Sequence, residues 1–217
     1  MADIPAALAR GAAQLGVALD EQQQSQLLRL SAELLRWNKA YNLTAITDPQ
    51  AVLTHHLLDS LAVAPDLAGT TVADVGTGAG FPGLPLAIAQ PHRQFTLIDT
   101  VDKKLRFIDH AVRELGLANV QTRHARVETL VPGKAFDTVI ARAFAPLPKM
   151  LALVAPLCDA QTRVLAMVGR WPPPEAAEAV LPPQWRQVSE RPIEVPGLGA
   201  ERHILCLMQS ANSPAGR

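Results

Sequence analysis

A glycine-rich segment in the first half of the chain constrains the fold more than any other feature. It runs from Asp74 to Gly83, overlaps the end of the apolar run Thr71–Val75, and contains four glycines. Glycines at a strand-to-helix turn allow positive φ angles and let a ligand approach the backbone where a Cβ atom would collide. Pro82 suits the first turn of a following helix, because its missing N–H costs nothing there. The segment therefore predicts a ligand-binding turn at the carboxyl edge of a parallel sheet.

The sequence after this turn alternates between strand-like and helix-like segments. Apolar runs predict strands at 71–75, 95–99, 120–124, 136–143, 163–168, 185–195 and 203–209, the last two as a closing hairpin. Helical patterns lie between them at 84–89, at 103–115 before Gly116, and at 147–157. Such alternation is typical of βαβ units with helices on both faces of the sheet. We therefore expect an α/β fold with a mostly parallel, seven-stranded sheet.

The residues before the first strand predict a helical extension of this domain. Leucines recur at helical spacing between Leu27 and Leu35, and Asp20 can cap that helix. A second helix is predicted from Asp48 to about Val63. The chain is thus expected to comprise a helical extension, an α/β domain and a disordered tail, with the bounds 1–66, 67–209 and 210–217.

Composition and charge exclude several classes of protein. With 48% hydrophobic and 18% charged residues among 217, the chain has a globular composition. Its two cysteines show no metal-ligand spacing, so no metal site is predicted. The N-terminus does not resemble a secretory signal, and no apolar run approaches the ~20 residues of a membrane helix, so we expect a cytoplasmic protein. A formal net charge of zero argues against a stoichiometric RNA-coat protein, and nothing requires more than a monomer.

Two cofactor classes compete for the glycine-rich turn. Gly78, Gly80 and Gly83 satisfy the dinucleotide fingerprint, with Asp99 as the expected ribose-binding acid. The pyrophosphate of a dinucleotide, however, favours a helix N-terminus free of nearby acids. A dehydrogenase would also need a substrate domain, for which little chain remains. S-adenosylmethionine carries two positive centres, so carboxylates near the turn favour this cofactor over a dinucleotide.

Three acidic residues follow three successive predicted strands and would line one crevice. Asp74 is placed to meet the methionine ammonium directly or through water, and Asp99 can accept hydrogen bonds from both ribose hydroxyls. Glu128 can lie beside the adenine, with Val127 packing on its ring. We therefore predict S-adenosylmethionine as cofactor and S-adenosylhomocysteine as product, with candidate contacts at Asp74, Gly76, Thr77, Gly78, Gly80, Asp99, Arg126, Val127 and Glu128.

Six short motifs occur in an order that resembles a known family. They are Trp37–Thr44, His56–Ser60, Asp74–Gly83, Arg126–Glu128, Ala141–Phe144 and Glu201–His203. At these residues the chain resembles the bacterial RsmG (GidB) family, guanine-N7 methyltransferases of small-subunit ribosomal RNA. The resemblance implies a Rossmann-like class I methyltransferase fold, S-adenosylmethionine as methyl donor, and 16S ribosomal RNA or the small ribosomal subunit as partner.

Carried onto this sequence, the resemblance implies cofactor contacts at Gly76, Phe81, Val127, Glu128 and Arg142. Arg142 follows an apolar strand, where a buried charge needs a partner, so a structural ion pair is the alternative. The chain departs from the family pattern at Val168, where relatives carry lysine, and Arg170 is a candidate for the missing charge.

Further candidates lie outside the glycine-rich turn. Residues of the extension either hold the target base or are structural, with Asn42 capping a turn and His56 pairing with Asp59. Since guanine N7 has a lone pair and no proton, no general base is expected, although Arg142 and Asn42 are candidates for an accessory role. The candidate RNA contacts are Lys103, Lys104, Arg106, Arg123 and Arg170, for which a solvated surface is the alternative.

Three other functions stay open on sequence grounds. A methyltransferase acting on a protein or a small molecule would need the same glycine-rich turn. A non-catalytic ribosome-assembly factor could keep the fold without binding the cofactor. The dehydrogenase is the most distant alternative.

Overall fold

The computed structural model of the chain describes residues 3–130, 133–142, 145–171 and 181–210. Within them, seven strands form one sheet: β1 (Thr71–Val75), β2 (Gln94–Asp99), β3 (Val120–His124), β4 (Thr138–Arg142), β5 (Arg163–Val168), β6 (Trp185–Ile193) and β7 (Arg202–Gln209). The strand order is β3-β2-β1-β4-β5-β7-β6. Strands β1 to β5 are parallel, and β7 is antiparallel to both of its neighbours. The predicted mostly parallel sheet and closing hairpin are confirmed.

Helices connect the strands and precede the sheet. Two long helices come first, α1 (Ile4–Gln14) and α2 (Glu21–Tyr41), of which α1 was not predicted as a separate helix. The remaining α-helices are α3 (Pro49–Val52), α4 (Asp59–Leu61), α5 (Gly83–Ala89), α6 (Asp102–Leu115) and α7 (Leu147–Val154). Short 3₁₀ turns occupy Ala64–Asp66, Val127–Thr129 and Ala155–Leu157.

The helix ends follow the signals in the sequence. Asp20 accepts a hydrogen bond of 2.7 Å from the backbone N–H of Gln23, whose side chain accepts one from Asp20 in return. This capping box satisfies two N–H groups that lack partners within the helix. Helix α6 ends at Gly116, which adopts the left-handed conformation with φ 66°. Both predicted ends are confirmed.

One helical stretch contains a turn that the sequence did not predict. Asp48 caps α3 through the N–H of Ala51 at 2.8 Å, and the helical stretch continues to Leu61, close to the predicted end. Its middle, Leu53–Leu58, has π-helical hydrogen bonding. Such π turns are rare and frequently occur at functional sites. This turn and the residue after it carry His55, His56 and Asp59 toward the carboxyl edge of the sheet.

Two buried apolar clusters cover the two faces of the sheet. One combines α1 and α2 residues such as Leu8, Leu27 and Leu34 with Phe95 of β2 and Phe107 of α6. The other joins α7 to the opposite face of the sheet, which confirms helices on both faces. The helical extension therefore packs on the sheet, while the division of the chain at residue 66 stays a prediction. The predicted tail falls outside the described residues from 211 onward.

Candidate functional site

The glycine-rich turn has the backbone conformation that its sequence predicts. Gly76, Gly78 and Gly80 have φ angles of 67°, 62° and 88°. The N–H groups of Gly76 and Thr77 donate to the carbonyl oxygen of Ile98, at 2.9 and 3.1 Å, and so tie the turn to β2. Side chains are excluded here because a positive φ in this region strains any residue with a Cβ atom.

Asp74 lies beneath the turn and holds it closed. Its side chain is buried, with 1% of the residue exposed. Oδ2 accepts hydrogen bonds from the Thr77 hydroxyl at 2.6 Å and from the Gly83 N–H at 2.8 Å. Oδ1 has no hydrogen-bond partner in the part of the chain that the structure describes. Burial raises the pKa of Asp74 to about 6, although the two hydrogen bonds act in the opposite direction.

Asp99 ends β2 and anchors the turn from the other side. Its Oδ2 accepts a hydrogen bond from the Gly78 N–H at 2.8 Å, and its Oδ1 accepts one from the Val101 N–H at 2.9 Å. Nζ of Lys104 lies 4.0 Å from Oδ2. Because each carboxylate oxygen has two lone pairs, Asp99 keeps acceptor capacity for a ligand.

A cavity of about 400 Å³ opens at the carboxyl ends of β1, β2 and β3, which is a volume suited to a small-molecule ligand. Its wall combines apolar side chains from these strands with polar groups. It brings together five of the predicted cofactor residues: Gly76, Asp99, Arg126, Val127 and Glu128. Thr77, Gly78 and Gly80 lie in the adjoining turn and Asp74 lies in β1 beneath it, rather than in this wall, and their ligand contacts stay predictions.

Lys104 lies at the cofactor cavity, which the sequence pattern did not predict. Predicted as an RNA contact, it is half-buried and lines the cavity beside Asp99. It stands in the first turn of α6, and first-turn residues after a strand face the crevice in doubly wound sheets. That position was a signal in the sequence that could have assigned Lys104 to the cofactor cavity.

Glu128 and Arg126 form the exposed rim of the same cavity. Oε1 of Glu128 lies 3.7 Å from Nη1 of Arg126, and both side chains are exposed to solvent. Such an exposed ion pair contributes little to stability, so both groups are free to rearrange around a ligand. Val127 between them is buried and supplies an apolar surface.

Phe81 is buried between the turn and the helical extension. Its ring lies 4.8 Å from the ring of His56. Nε2 of His56 lies at a hydrogen-bond distance of 2.9 Å from Oγ1 of Thr44. Asn38 fixes that threonine by accepting from its N–H and donating to its carbonyl oxygen, both at 2.9 Å. The loop after α2 is thereby clamped over Phe81, whose contact with the cofactor stays a prediction.

The pairing of His56 with Asp59, which was the structural alternative for these two residues, is not formed. His56 bonds to Thr44, and its Nδ1 atom finds no partner among the described residues. Burial lowers the pKa of His56 to about 4, so the imidazole is neutral at physiological pH. A neutral ring cannot serve as the counter-ion of a carboxylate, and Asp59 is paired with arginines instead.

Asp59 bridges two arginines from different strands. Its Oδ1 lies 3.0 Å from Nε of Arg202, and its Oδ2 lies 3.4 Å from Nη1 of Arg142. Arg142 also donates to the carbonyl oxygen of His55 at 3.4 Å. The ion pair considered as an alternative for Arg142 is therefore present, and its cofactor contact stays a prediction. Arg202 is not among the site residues predicted from the sequence.

Asn42 has the turn-capping geometry considered for it. It ends α2 in the left-handed conformation, with φ 50° and ψ 58°, and its N–H donates to the carbonyl oxygen of Asn38. Tyr41 beside it is 41% exposed and stacks on Trp37 with 5.1 Å between ring centroids. An accessory role of Asn42 in the reaction stays a prediction.

The other candidate RNA contacts lie on the surface. Lys103 and Arg106 are exposed on α6, where Arg106 pairs with Asp102 at 2.7 Å. Arg123 is exposed on β3, and Arg170, with 94% of its side chain exposed, lies 3.4 Å from Glu201. Since exposed pairs of this kind are weak, these side chains are available to phosphates.

Neither a metal cluster nor a membrane-spanning helix is found in the described residues. No three His, Cys, Asp or Glu side chains there are grouped so that they could hold a metal ion. The helices of that part of the chain are too short or too polar to cross a bilayer.

Comparison with known proteins identifies close relatives. The family model GidB, described as rRNA small subunit methyltransferase G, matches residues 23–205. A protein of Stutzerimonas stutzeri (strain A1501), named ribosomal RNA small subunit methyltransferase G, is 46% identical over 94% of this chain and 95% of its own length. A protein of the same name from Aromatoleum aromaticum is 48% identical over 93% of this chain and 97% of its own.

Solved structures share the fold at lower identity. A SAM-dependent methyltransferase from Aquifex aeolicus is 20% identical with a TM-score of 0.55, over 80% of this chain and 97% of that one. The magnesium protoporphyrin IX methyltransferase of Synechocystis PCC 6803 with bound SAM is 18% identical with a TM-score of 0.57, over 89% of this chain and 99% of that one. These neighbours confirm the Rossmann-like methyltransferase fold. By the family match and the two relatives, this chain belongs to the GidB family of rRNA small subunit methyltransferases.

Proposed function

We propose that this protein transfers the methyl group of S-adenosylmethionine to N7 of a guanine in 16S ribosomal RNA. The observation that carries the proposal is the cavity at the ends of β1, β2 and β3, which joins Gly76, Asp99, Val127 and Glu128. Membership of a family described as rRNA small subunit methyltransferase G supports the choice of substrate. The relatives named for this activity match more than nine-tenths of the chain.

The residues of the cavity fit S-adenosylmethionine. Asp99 retains acceptor capacity for ribose hydroxyls, and Val127 offers a buried apolar surface for an adenine ring, with Glu128 at its edge. The unpartnered Oδ1 of Asp74 is an acceptor suited to a cationic group, reached directly or through water. Two carboxylates in the cavity wall, Asp99 and Glu128, and a third beneath the adjoining turn, Asp74, favour a ligand with positive centres over one with a pyrophosphate. When bound, the sulfonium supplies an electrophilic methyl group.

The contribution of the protein to the reaction is then alignment. Guanine N7 carries a lone pair and no proton, so no residue has to remove a proton from the nucleophile. Holding two reactants in line is worth about 7–11 kcal/mol in favourable cases. His56, whose ring lies 4.8 Å from that of Phe81, is neutral and bonded to Thr44, which suits a structural role.

The RNA must present an unstacked guanine to this site. In A-form RNA the N7 edge lies in a deep, narrow groove that side chains cannot enter, so the base has to be in a loop or turned out of its stack. Lys103, Arg106, Arg123 and Arg170 are exposed cations that would contact phosphates. We infer that the enzyme acts as a monomer in the cytoplasm, on naked RNA or on the small subunit.

The cofactor half of the proposal is tested by calorimetry. The wild-type protein is titrated with S-adenosylhomocysteine and, separately, with NAD. We expect binding of the first alone, and Asp99→Asn should weaken it at least tenfold, because a charged acceptor is lost. The matched control is Asp102→Asn, an exposed carboxylate three residues along that pairs with Arg106. Binding of NAD instead would support a dehydrogenase, and binding of neither would support an assembly factor.

The substrate half is tested by methyl transfer. Wild-type protein and tritiated S-adenosylmethionine are incubated with 16S ribosomal RNA, small subunits, total protein and small-molecule extract. We expect label in the RNA, at a guanine that becomes sensitive to N7-specific cleavage. Label confined to protein or to small molecules would contradict the proposed substrate while leaving the cofactor assignment intact.

A further inference from the structure

A second cavity, of about 380 Å³, lies at the ends of β4 and β5 and beside the start of β7. Within the described residues, none that lines it also lines the cofactor cavity. The strands contribute Arg142, Met167, Val168 and Arg202, and the helical stretch that follows the π turn contributes Asp59. Apart from the cofactor contact predicted for Arg142, the proposed function assigns no ligand to this cavity.

The charges in this cavity are arranged around a buried carboxylate. The side chain of Asp59 is 4% exposed, whereas those of Arg142 and Arg202 are 27% and 28% exposed. Asp59 therefore sits behind the two guanidinium groups and holds them from one side. Two arginines against one aspartate leave one net positive charge at the wall. An isolated buried carboxylate would be strongly destabilising, so the arginines and Asp59 depend on one another.

Each guanidinium keeps donors that its partners among the described residues do not use. Arg202 donates through Nε to Asp59 and through Nη1 to the carbonyl oxygen of Glu201, and Arg142 uses Nη1. A guanidinium carries five N–H groups, so on both residues several have no acceptor in the described part of the chain. Free N–H groups in a fixed fork match the oxygens of a phosphate. The apolar side chains of Ile46, Met167 and Val168 lower the local dielectric and strengthen such a contact.

The position of the cavity places it beside the site of methyl transfer. Arg142 ends β4, whose Ala141 pairs with Val75 immediately before the glycine-rich turn. A nucleotide whose base reaches the turn would have its backbone close to the ends of β4 and β5. Arg170 is less suitable for holding that backbone, because its side chain is 94% exposed and has no rigid support from Asp59.

We propose that this second cavity binds a backbone phosphate of the RNA substrate through Arg202 and Arg142, with Asp59 as the positioning residue that orients both. The inference rests on the proposed function, since it takes the substrate to be RNA. The inference assigns a role to Arg202. It also provides a phosphate contact beside the end of β5, where this chain carries Val168 in place of the lysine of its relatives.

The test measures the affinity of the full-length protein for a fluorescent 16S ribosomal RNA transcript at several salt concentrations. Arg202→Gln should weaken binding about ten- to a hundredfold, as expected for one charge-assisted contact. It should also reduce the slope of log Kd against log salt by about 0.7–0.9, the value for one phosphate. The affinity for S-adenosylhomocysteine should not change. The matched control is Arg163→Gln, an exposed arginine at the opposite end of β5, which should leave both RNA parameters unchanged.

A second variant separates charge from geometry. Arg202→Lys keeps the charge but loses the fork, so it should retain most of the salt slope while losing part of the affinity. It also provides the test if the thermal unfolding of Arg202→Gln shows a misfolded protein. The proposal is overturned if both Arg202 variants match Arg163→Gln in RNA binding, or if they lose S-adenosylhomocysteine binding instead. Should the wild-type protein bind only isolated small subunits, the same variants are compared on those; should it bind neither the subunits nor the transcript, the proposed function itself fails.

Discussion

Replacing Asp74 with asparagine should remove the loss of stability that the unliganded wild type undergoes toward neutral pH, and it should weaken cofactor binding. Burial raises the pKa of Asp74 to about 6, above its ordinary value of 3.8. Between these pH values the folded state holds a proton that the unfolded state has lost, so the stability of the wild type falls as the pH rises through that window. Asparagine does not titrate, so the variant escapes this loss.

The size of the effect follows from the pKa shift. Two pKa units correspond to about 3 kcal/mol in the free energy of unfolding, of which about 2 kcal/mol develops between about pH 4.5 and about pH 7.5. The amide oxygen of asparagine can still accept from Thr77 and Gly83, as Oδ2 of Asp74 does. Any constant difference in the strength of those bonds cancels when the two pH values are compared.

Urea unfolding of both proteins at the two pH values measures this difference. We expect the stability of Asp74→Asn relative to wild type to increase by about 2 kcal/mol toward neutral pH, with a loss of S-adenosylhomocysteine affinity by calorimetry. Asp137→Asn is the control, because backbone N–H groups of Thr70 and Thr71 lower the pKa of Asp137 to about 2 and it stays ionised over this range. The stability of Asp137→Asn relative to wild type should be nearly the same at the two pH values. A constant value for Asp74→Asn as well would refute the reasoning.

Two further predictions concern the surroundings of the turn. Gly83→Ala should lower the free energy of unfolding by about 1–3 kcal/mol, because the new Cβ atom would lie 2.7 Å from Oδ2 of Asp74 and 2.8 Å from Cγ of Leu97. Thermal unfolding measures this loss. The control Gly133→Ala, where no atom lies within 4 Å of the new Cβ, should leave stability unchanged. His56→Gln should reduce the loss of stability as the pH falls from about 6.5 to about 4, because the lowered pKa of His56 lets the unfolded state bind a proton that the folded state rejects. Equal acid sensitivity of that variant and the wild type in urea unfolding would exclude His56 as the source.

The sheet and the glycine-rich turn could be predicted because their signals are local. The apolar run Thr71–Val75 and the glycines after it specify a strand and a turn within a dozen residues. The acids at the strand ends could be assigned to one crevice because parallel strands bring their carboxyl ends to the same edge. In the structure Asp99 and Glu128 line one cavity, and Asp74 lies beneath the adjoining turn.

The contacts that were missed join residues far apart in the sequence. Asp59 and Arg202 are separated by 143 positions, and no periodicity relates them. His56 does not pair with Asp59, because the π turn and the loop after α2 place His56 against Thr44. Lys104 is a different case, because it lies only five residues after Asp99. Its position in the first turn of α6, directly after β2, was a signal in the sequence that could have assigned it to the cofactor cavity.

The apolar cluster shared by α2, β2 and α6 has a consequence for how the protein unfolds. Leu27, Leu30 and Leu34 pack in the same cluster as Phe95 and Phe107. Detaching the first two helices would expose those aromatic rings to water, so the extension and the sheet stabilise each other. Heating should then melt the molecule cooperatively, in a single calorimetric transition. A fragment starting at residue 67 should aggregate rather than retain cofactor affinity.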